Sequence, residues 1–190
     1  MKDITVAILA VQGAFIEHEY MLDRLGINYI ELRKEEDVYK KYDALILPGG
    51  ESTVQGKLIK ELNMKEELVK RIREGLPVLG TCAGMILLCS EIEGGEQSHL
   101  GLLPAKVKRN AYGRQLGSFY SENEFKGLGT LPMTFIRAPY IEKVYDDTQV
   151  LASVENKIVA IENKNILAVS FHPELNNDTR IHEYFLDKVY

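Results

Sequence analysis

Cys82 has the surroundings of a nucleophile. It lies in Gly80-Thr81-Cys82-Ala83-Gly84, between the apolar run Pro77-Val78-Leu79 and a helix-compatible run that begins at Met85. A nucleophile on a tight turn between strand and helix, flanked by small residues, is the nucleophile-elbow pattern with cysteine in place of serine. Such a turn exposes the sulfur at the carboxyl end of the sheet, where the N–H of Ala83 can meet a developing oxyanion and the helix N-terminus favours the thiolate. The alternative is a buried small apolar residue, which describes most free cysteines.

His172 and Glu174 supply the groups that a nucleophilic cysteine needs. The apolar run Ile166–Phe171 leads directly into His172-Pro173-Glu174. A cysteine nucleophile needs a base, and the base needs an acceptor that orients it. The two side chains are two positions apart, so extended backbone would project them to the same side, and Pro173 biases the residue before it towards extended geometry. We therefore predict an array of cysteine, histidine and glutamate, although a lone histidine at a strand end usually only caps a turn.

The composition is that of an ordinary globular protein and excludes several classes of partner. The chain has 190 residues, a length that suffices for one domain, 1–190, with a substantial core. Its residues are 45% apolar and 27% charged, which is typical of globular proteins. The net charge of −5 argues against nucleic acid or an anionic membrane as partner, and the densest basic cluster is only Lys106, Lys108 and Arg109. No apolar run approaches the length of a membrane span, and we see no signal peptide, so we expect a cytosolic protein.

The two cysteines, Cys82 and Cys89, are predicted to be reduced. On one helix they would lie about 10 Å apart along the axis, beyond the Cα separation of roughly 7 Å that a disulfide tolerates. Cys89 follows two leucines and is most simply a core residue. No Cys/His cluster has the spacing of a metal site. Nothing local marks His18, His99 or His182 as a ligand, so no metal is predicted.

The first half of the chain alternates strands and helices. We predict strands at Ile4–Val11, Ile27–Leu32, Ala44–Leu47 and Pro77–Gly80, and helices at Phe15–Leu25, at Thr53–Gly75 with a break near Asn63, and after Cys82. Continuous apolar, β-branched runs are typical of central parallel strands that are covered on both faces. The alternation predicts a three-layer α/β fold with a doubly wound, mostly parallel sheet, which binds ligands at the carboxyl ends of its strands.

From Gly101 onwards the pattern changes to short strands and a closing helix. We predict strands at Ala105–Val107, Gly117–Phe125, Met133–Ile136, Tyr140–Tyr145, Val150–Val154, Ile158–Glu162 and Ile166–Phe171. Asn163-Lys164-Asn165 is typical of a hairpin turn. We expect these strands to be antiparallel additions to the sheet edge, followed by an amphipathic helix over Thr179–Tyr190.

A second loop, Leu47-Pro48-Gly49-Gly50-Glu51-Ser52-Thr53, leaves a strand and enters a helix. Its N–H groups gather at a helix N-terminus, and the peptide between Gly49 and Gly50 can adopt conformations closed to other residues. The loop could form half of an oxyanion hole, or it could be a plain connection with Ser52 or Thr53 as N-cap. From the residues alone both interpretations stand.

Taken together, the motifs resemble those of the glutaminase subunits of pyridoxal 5′-phosphate synthase, which are class I (triad-type) glutamine amidotransferases. The motifs are Ala10-Val11-Gln12-Gly13-Ala14 with Glu17-His18, the two loops above, Arg109-Asn110-Ala111-Tyr112-Gly113-Arg114-Gln115, Phe135-Ile136-Arg137-Ala138-Pro139, Phe171-His172-Pro173-Glu174-Leu175 and Arg180-Ile181-His182-Glu183-Tyr184-Phe185-Leu186. The cysteine elbow and His-Pro-Glu are shared by many class I amidotransferases. The segments 109–115 and 135–139 narrow the resemblance from class I amidotransferases in general to these glutaminase subunits. The resemblance covers essentially the whole chain.

The resemblance implies both an activity and a site. The implied residues are a triad of Cys82, His172 and Glu174, an oxyanion hole from the N–H groups of Ala83 and Gly50, and a glutamine pocket of Gly49, Gly50, Glu51, Arg109, Ile136 and Arg137. The implied reaction converts L-glutamine to L-glutamate and ammonia without a metal or organic cofactor. The implied partner is a (β/α)8-barrel synthase subunit, which receives the ammonia within a large hetero-oligomer. In such a pocket an arginine would bind the α-carboxylate through two parallel hydrogen bonds, and a nearby glutamate would meet the α-ammonium.

One departure and three alternatives stay open. Relatives usually carry an acid where Tyr120 stands, and the stretch Ser121–Lys126 is also unusual, although neither includes a predicted site residue. The chain could serve another amidotransferase, for histidine or purine synthesis, or act as a stand-alone cysteine hydrolase. A non-catalytic regulatory scaffold is the third alternative, and the intact cysteine, histidine and glutamate argue against it.

Overall fold

The structure, a computed structural model, describes residues 4–109 and 117–189. The elements of the first half are β1 Thr5–Leu9, α1 Phe15–Leu25, β2 Asn28–Leu32, β3 Ala44–Leu47, α2 Ser52–Glu61, α3 Lys65–Arg73, β4 Val78–Thr81 and α4 Ala83–Leu88. The second half adds β5 Cys89–Ile92, β6 Leu103–Lys108, β7 Ser118–Phe125, β8 Gly129–Ile136, β9 Tyr140–Val144, β10 Gln149–Val154, β11 Lys157–Asn163, β12 Ile166–Val169 and α5 Arg180–Leu186. No helix in these ranges is both long enough and apolar enough to span a membrane.

The first half of the chain builds the parallel part of the main sheet. Its strands lie in the order β2-β1-β3-β4, and each neighbouring pair is parallel. Gly26 caps the end of helix α1: its φ of +66° is left-handed, and its N–H donates to the carbonyl oxygens of Asp23 and Leu22. The predicted break between α2 and α3 is confirmed, because Asn63 also has a positive φ of 53°.

Successive residues of the central strands alternate between two apolar clusters. Val6 and Ile8 belong to a cluster that includes residues of α1 and α5, whereas Ala7 and Leu9 belong to one that includes residues of α2, α3 and α4. Because strand side chains point alternately to opposite faces, the sheet forms the middle of three layers. This confirms the predicted α/β architecture.

Strand β12 brings the end of the chain beside the nucleophile turn. It pairs in parallel with β4, so that Val169 lies opposite Thr81. The expectation that this strand is an antiparallel addition to the sheet edge is therefore wrong, because β12 lies inside the sheet between β4 and β11. On its other side β11, β9 and β6 continue the sheet in antiparallel fashion, and β5 lies at the far edge, parallel to β6. The backbone N–H of Cys82 donates to the Val169 carbonyl oxygen at 2.8 Å. The residues that follow β4 and β12 are therefore neighbours.

Three local features differ from the expectations. Cys89 is not helical but begins β5, because the Leu88 carbonyl that a longer helix would use accepts from the Leu102 N–H at 2.8 Å. Within the described ranges β7 and β8 pair only with each other, and the buried side chains of this separate hairpin join the core cluster on the α1 side. Helix α5 ends at Leu186 and is followed by a short 3₁₀ turn, so it is shorter than the predicted Thr179–Tyr190.

Candidate active site

One cavity of about 400 Å³ collects almost every residue that the sequence predicted for a site. The predicted residues among those that line it are Cys82, Ala83, His172, Gly49, Gly50, Glu51, Arg109, Ile136 and Arg137. Most of them follow the carboxyl ends of β3, β4, β8 and β12. Glu174 does not line the cavity but lies behind His172, whose Nδ1 is 2.6 Å from Glu174 Oε1. The structure thus brings the predicted site residues together where the carboxyl ends of the main-sheet strands β3, β4 and β12 lie beside the end of the β7–β8 hairpin.

The turn at Cys82 has the strained geometry of a nucleophile elbow. Cys82 adopts φ +49° and ψ −102°, and helix α4 begins at the next residue. Glycines make this turn possible: a Cβ on Gly84 would stand 1.9 Å from the Leu47 carbonyl oxygen, and one on Gly80 would stand 2.6 Å from Leu88 Cδ1. The strand and helix can pass this closely only without those side chains. The Cys82 residue is 7% exposed, so its sulfur meets the cavity and little else of the solvent.

A short turn, and not an extended strand, joins the histidine to its glutamate. Strand β12 ends at Val169, the His172 N–H donates to the Thr134 carbonyl oxygen at 2.8 Å, and Pro173–Leu175 form a 3₁₀ turn. The expected hydrogen bond between His172 and Glu174 is present, but the reason given from the sequence, extended backbone across Pro173, is wrong. Proline is favoured in the first turn of a helix, and here it starts a turn that folds the carboxylate back onto the ring.

The electrostatics of the pair favour opposite charges on the two side chains. Burial would lower the pKa of His172, but hydrogen bonds to Cys82 and Glu174, and the charges of both, raise it to about 10. Burial would raise the pKa of Glu174, yet its interactions with His18 and His172 hold that pKa below the usual value. The geometry therefore suits an imidazolium held between a sulfur and a carboxylate, which is the form that can protonate a leaving group.

The Gly49-Gly50 loop is tied to the start of α1. The Gly49 carbonyl oxygen accepts from the Ala14 N–H at 3.0 Å, and the Gln12 side-chain oxygen accepts from the Glu51 N–H at 2.9 Å. A Cβ on Gly13 would stand 2.0 Å from the Gly49 oxygen, so the two backbones touch. The segment after β1 therefore holds the Gly49-Gly50 peptide in its orientation on one wall of the cavity.

Two arginines line the cavity in different ways. Arg109 donates to the Thr53 hydroxyl and to a Glu96 carboxylate oxygen, each at 2.9 Å, which fixes its guanidinium. Arg137 lies 3.4 Å from Glu51, and these two side chains are 71% and 61% exposed. An exposed pair of this kind is weak, so both partners are available to a charged ligand.

Comparison with known proteins decides the family. The model of the SNO glutamine amidotransferase family matches residues 8–190. The chain belongs to this glutamine amidotransferase family. It is 57% identical to the pyridoxal 5′-phosphate synthase subunit PdxT of Desulfitobacterium hafniense (strain DSM 10664 / DCB-2), over 97% of this chain and 92% of that protein. It is 54% identical to the PdxT subunit of Haemophilus influenzae (strain PittGG), over 96% of each.

A solved structure agrees with this assignment. A crystal structure of a glutamine amidotransferase superposes with a TM-score of 0.92 at 47% identity and covers 97% of this chain and 98% of that one. The class I amidotransferase fold implied by the family resemblance is therefore confirmed.

Two sequence features of this glutamine amidotransferase lie away from the cavity or outside the described residues. Of the motif 109–115 that narrowed the resemblance, only Arg109 falls within the described ranges. Tyr120, the departure from the usual acid, is 59% exposed on β7, and its hydroxyl donates to Glu122 at 3.0 Å. Neither Tyr120 nor the stretch Ser121–Lys126 lines the cavity.

Sequence reasoning missed the residues that support the site from behind. His18 on α1 and His182 on α5 are fully buried, and His18 lies 3.6 Å from the carboxylate of Glu174. Their motifs, Glu17-His18 and Arg180–Leu186, contributed to the resemblance. Helical spacing, however, does not reveal which distant side chain a buried histidine meets, so no signal in the sequence pointed to this contact.

Proposed function

We propose that this chain hydrolyses the side-chain amide of L-glutamine to L-glutamate and ammonia, and that it delivers the ammonia to the synthase subunit of pyridoxal 5′-phosphate synthase. The observation that carries the proposal is the His172–Glu174 pair beside Cys82 at the cavity of a glutamine amidotransferase. The relatives named pyridoxal 5′-phosphate synthase subunits support the choice of synthase. In this proposal residues 1–190 act as a single glutaminase domain.

The reaction begins with attack of the Cys82 thiolate on the amide carbon of glutamine. A carbon–sulfur bond forms, and the carbonyl electron pair moves onto oxygen to give a tetrahedral oxyanion. The N–H of Ala83, directly after the nucleophile, and the N–H of Gly50 stabilise this negative charge. Both residues line the cavity into which the sulfur points, which supports their role.

His172 then acts first as an acid and next as a base. The imidazolium protonates the amide nitrogen as the carbon–nitrogen bond breaks, so that ammonia leaves and a glutamyl thioester remains on Cys82. The neutral ring takes a proton from water, the water oxygen attacks the thioester, and the carbon–sulfur bond breaks to release glutamate. Glu174 keeps the ring in one orientation through Nδ1 and stabilises its charged form.

Recognition of free glutamine requires groups for its α-carboxylate and its α-ammonium. Arg109, fixed by Thr53 and Glu96, offers its remaining N–H groups to the carboxylate. Glu51 accepts from the ammonium when it is released from its weak pair with Arg137. Ile136, 37% exposed although apolar, packs against the aliphatic part of the substrate in this scheme.

The proposal includes a partner and a compartment. Ammonia released into water is protonated and loses its nucleophilicity, so coupling to an acceptor enzyme has a chemical purpose. We propose that the acceptor is a (β/α)8-barrel synthase subunit bound in a large hetero-oligomer. No metal or organic cofactor takes part in the glutaminase reaction as written. Neither Cys82 nor Cys89 is in a disulfide, which suits the reducing cytoplasm.

The test follows the amide nitrogen of the substrate. The chain is mixed with the synthase subunit, its pentose and triose phosphate substrates, and L-glutamine labelled with ¹⁵N in the side-chain amide. We expect one glutamate per labelled nitrogen transferred, and ¹⁵N in the ring of pyridoxal 5′-phosphate. Glutamate release without transfer would assign the chain to another synthase. Absence of glutamate from the complex would refute the glutaminase function and favour the scaffold.

A further inference from the structure

Two buried histidines stand directly behind the proposed triad and have no role in the mechanism above. His18 comes from α1 and His182 from α5, and both are 0% exposed. Buried polar groups are costly unless they are hydrogen-bonded. A pair of them in contact with a buried carboxylate therefore calls for a reason beyond core packing.

The contacts connect the histidines to both halves of the triad. His18 Nε2 lies 3.6 Å from Glu174 Oε2 and 3.3 Å from the hydroxyl of Thr81, the residue before the nucleophile. The other ring nitrogen, His18 Nδ1, lies 3.0 Å from His182 Nε2. Glu174 Oε1 is hydrogen-bonded to His172, so His18 faces Oε2, the carboxylate oxygen that makes no hydrogen bond within the triad.

Two atoms without hydrogen-bond partners select one arrangement of the protons. Glu174 Oε2 and His182 Nδ1 are buried and have no partner within hydrogen-bond distance. If His18 carries its proton on Nε2, that proton points at Thr81 and at the carboxylate, and Nδ1 accepts from His182 Nε2–H. His182 Nδ1 is then a bare acceptor. The opposite tautomers would bury an unsatisfied N–H on His182 and set a ring lone pair against the carboxylate, which is the costlier arrangement.

We propose that His18 is a positioning residue for the glutaminase reaction: its Nε2–H donates to the hydroxyl of Thr81, beside the nucleophile, and presents its dipole to the free oxygen of Glu174, while His182 fixes the tautomer of His18. The inference rests on the proposed function, since it assigns the two histidines to the same triad. In this arrangement His182 donates to His18, the Nε2–H of His18 faces Glu174 Oε2 at 3.6 Å, and the Nδ1–H of His172 donates to Glu174 Oε1.

The histidines act through hydrogen-bond dipoles and not through full charges. Burial lowers the pKa of His18, against the carboxylates of Glu174 and Glu17, which act to raise it, and the positive His172 lowers it further. Burial and His18 lower the pKa of His182 to about 3, against Glu174, which acts to raise it. At neutral pH both rings are therefore neutral. A neutral donor supports an ionised Glu174 without competing with His172 for its charge.

The experiment compares three variants in the complex with the synthase subunit. His18→Leu removes the donor and keeps an apolar side chain of similar size, whereas His18→Gln returns an N–H near the position of Nε2. Thr148→Val is the control, because Thr148 is also buried and hydrogen-bonded, to Pro104 and Asn163, and none of these three residues lines the cavity. Circular dichroism and binding to the synthase subunit establish that each variant is folded, and glutamate release gives kcat and KM from pH 5 to 9.

The expected result is a change in kcat and in the pH profile. His18→Leu should lower kcat on the order of tenfold, because it removes the N–H dipole that faces the ionised carboxylate, with little change in KM. Without its donor the Glu174 carboxylate is more easily protonated, so the acid limb of the profile should move to higher pH. His18→Gln should restore much of both, and Thr148→Val should change neither.

Other outcomes overturn the inference. A folded His18→Leu variant with the parent kcat and pH profile would show that the contact is only packing, as would a uniform loss that Gln does not rescue. A readout without turnover is the ¹⁵N spectrum of the Cys82→Ala chain, where His18 and His182 should both carry their proton on Nε2. The opposite tautomers would overturn the inference. If the parent complex itself releases no glutamate, the proposed function fails, but the tautomer measurement still decides the arrangement.

Discussion

The two ends of helix α4 place the same side chain, a cysteine thiol, in opposite chemical situations. Cys82 precedes the helix with φ +49° and lines the cavity together with His172, whose pKa its sulfur helps to raise. Cys89 follows the helix as the first residue of β5, is 0% exposed, and burial strongly raises the pKa of its thiol. The comparison teaches that the turn, the cavity and the base, and not the residue type, decide which sulfur can react.

The largest effect on activity is expected when the sulfur of Cys82 is removed. Cys82→Ala should lower glutamine-dependent activity by about 10⁴-fold or more, the usual result of removing a nucleophile, because no other group can form the thioester. The fold and partner binding should persist, since only one sulfur is lost. The complex should still make product from added ammonium salts. Substantial glutamate release by the purified variant complex would contradict the assignment of Cys82.

The next largest effect is expected when His172 or Glu174 is replaced, because these residues are beside Cys82 and not beside Cys89. His172→Asn should be nearly as damaging as the loss of the nucleophile. Glu174→Gln should be milder but still severe, because it keeps the shape and removes the charge that supports the imidazolium. The losses should not add in double variants, since the three residues act as a unit. Steady-state glutamate release measures all of them, and an unchanged Glu174→Gln turnover would mean that another acceptor orients the histidine.

A smaller effect tests whether the surroundings of Cys82 are complete in the isolated chain. The Gly49-Gly50 peptide can turn its N–H or its carbonyl towards the oxyanion at little steric cost, and its contacts with Gly13 and Ala14 connect it to the start of α1. We expect the isolated chain to release glutamate about a hundredfold more slowly than the complex, which requires a bias of only about 3 kcal/mol. Initial rates at saturating glutamine, with and without excess synthase subunit, measure the difference. Equal rates would exclude such a switch.

The smallest effect is expected when Cys89 is replaced. Cys89→Ala should leave glutaminase activity unchanged and lower the free energy of unfolding by about 1 kcal/mol, because it only removes a well-packed core atom. Urea denaturation and the glutamate assay together measure this. Iodoacetamide should alkylate the folded parent protein, which carries both cysteines, at Cys82 alone, and glutamine should slow that reaction. Loss of activity in a folded Cys89→Ala protein would mean that the two sulfurs are not independent.

The sequence predicted the parts of the site that depend on local chemistry. The elbow at Cys82 follows from glycines that a strand and a helix need in order to cross, and the His172–Glu174 pair follows from two residues that touch through one turn. Strands β1 and β3 were predictable because continuous apolar runs mark strands buried on both faces.

Features that depend on distant parts of the chain could not be predicted in this way. The contact of His18 with His182 joins two helices at opposite ends of the sequence, and neither helix specifies its partner. The separate β7–β8 hairpin and the strand at Cys89 depend on which edges remain free for pairing once the main sheet has formed. Local pattern gives the elements, whereas these pairings are decided by tertiary packing.

The position of β12 between β4 and β11 determines when a newly made chain acquires its reactivity. The pairing of Val169 with Thr81 joins residues separated by nearly half of the sequence, and such non-local pairs are slow to form in folding. Until β12 inserts, Cys82 lacks the carbonyl that anchors its turn and the histidine that follows that strand. We therefore expect the thiol of Cys82 to be unreactive in the growing polypeptide on the ribosome, and to gain its anchored turn and its base only when folding is complete.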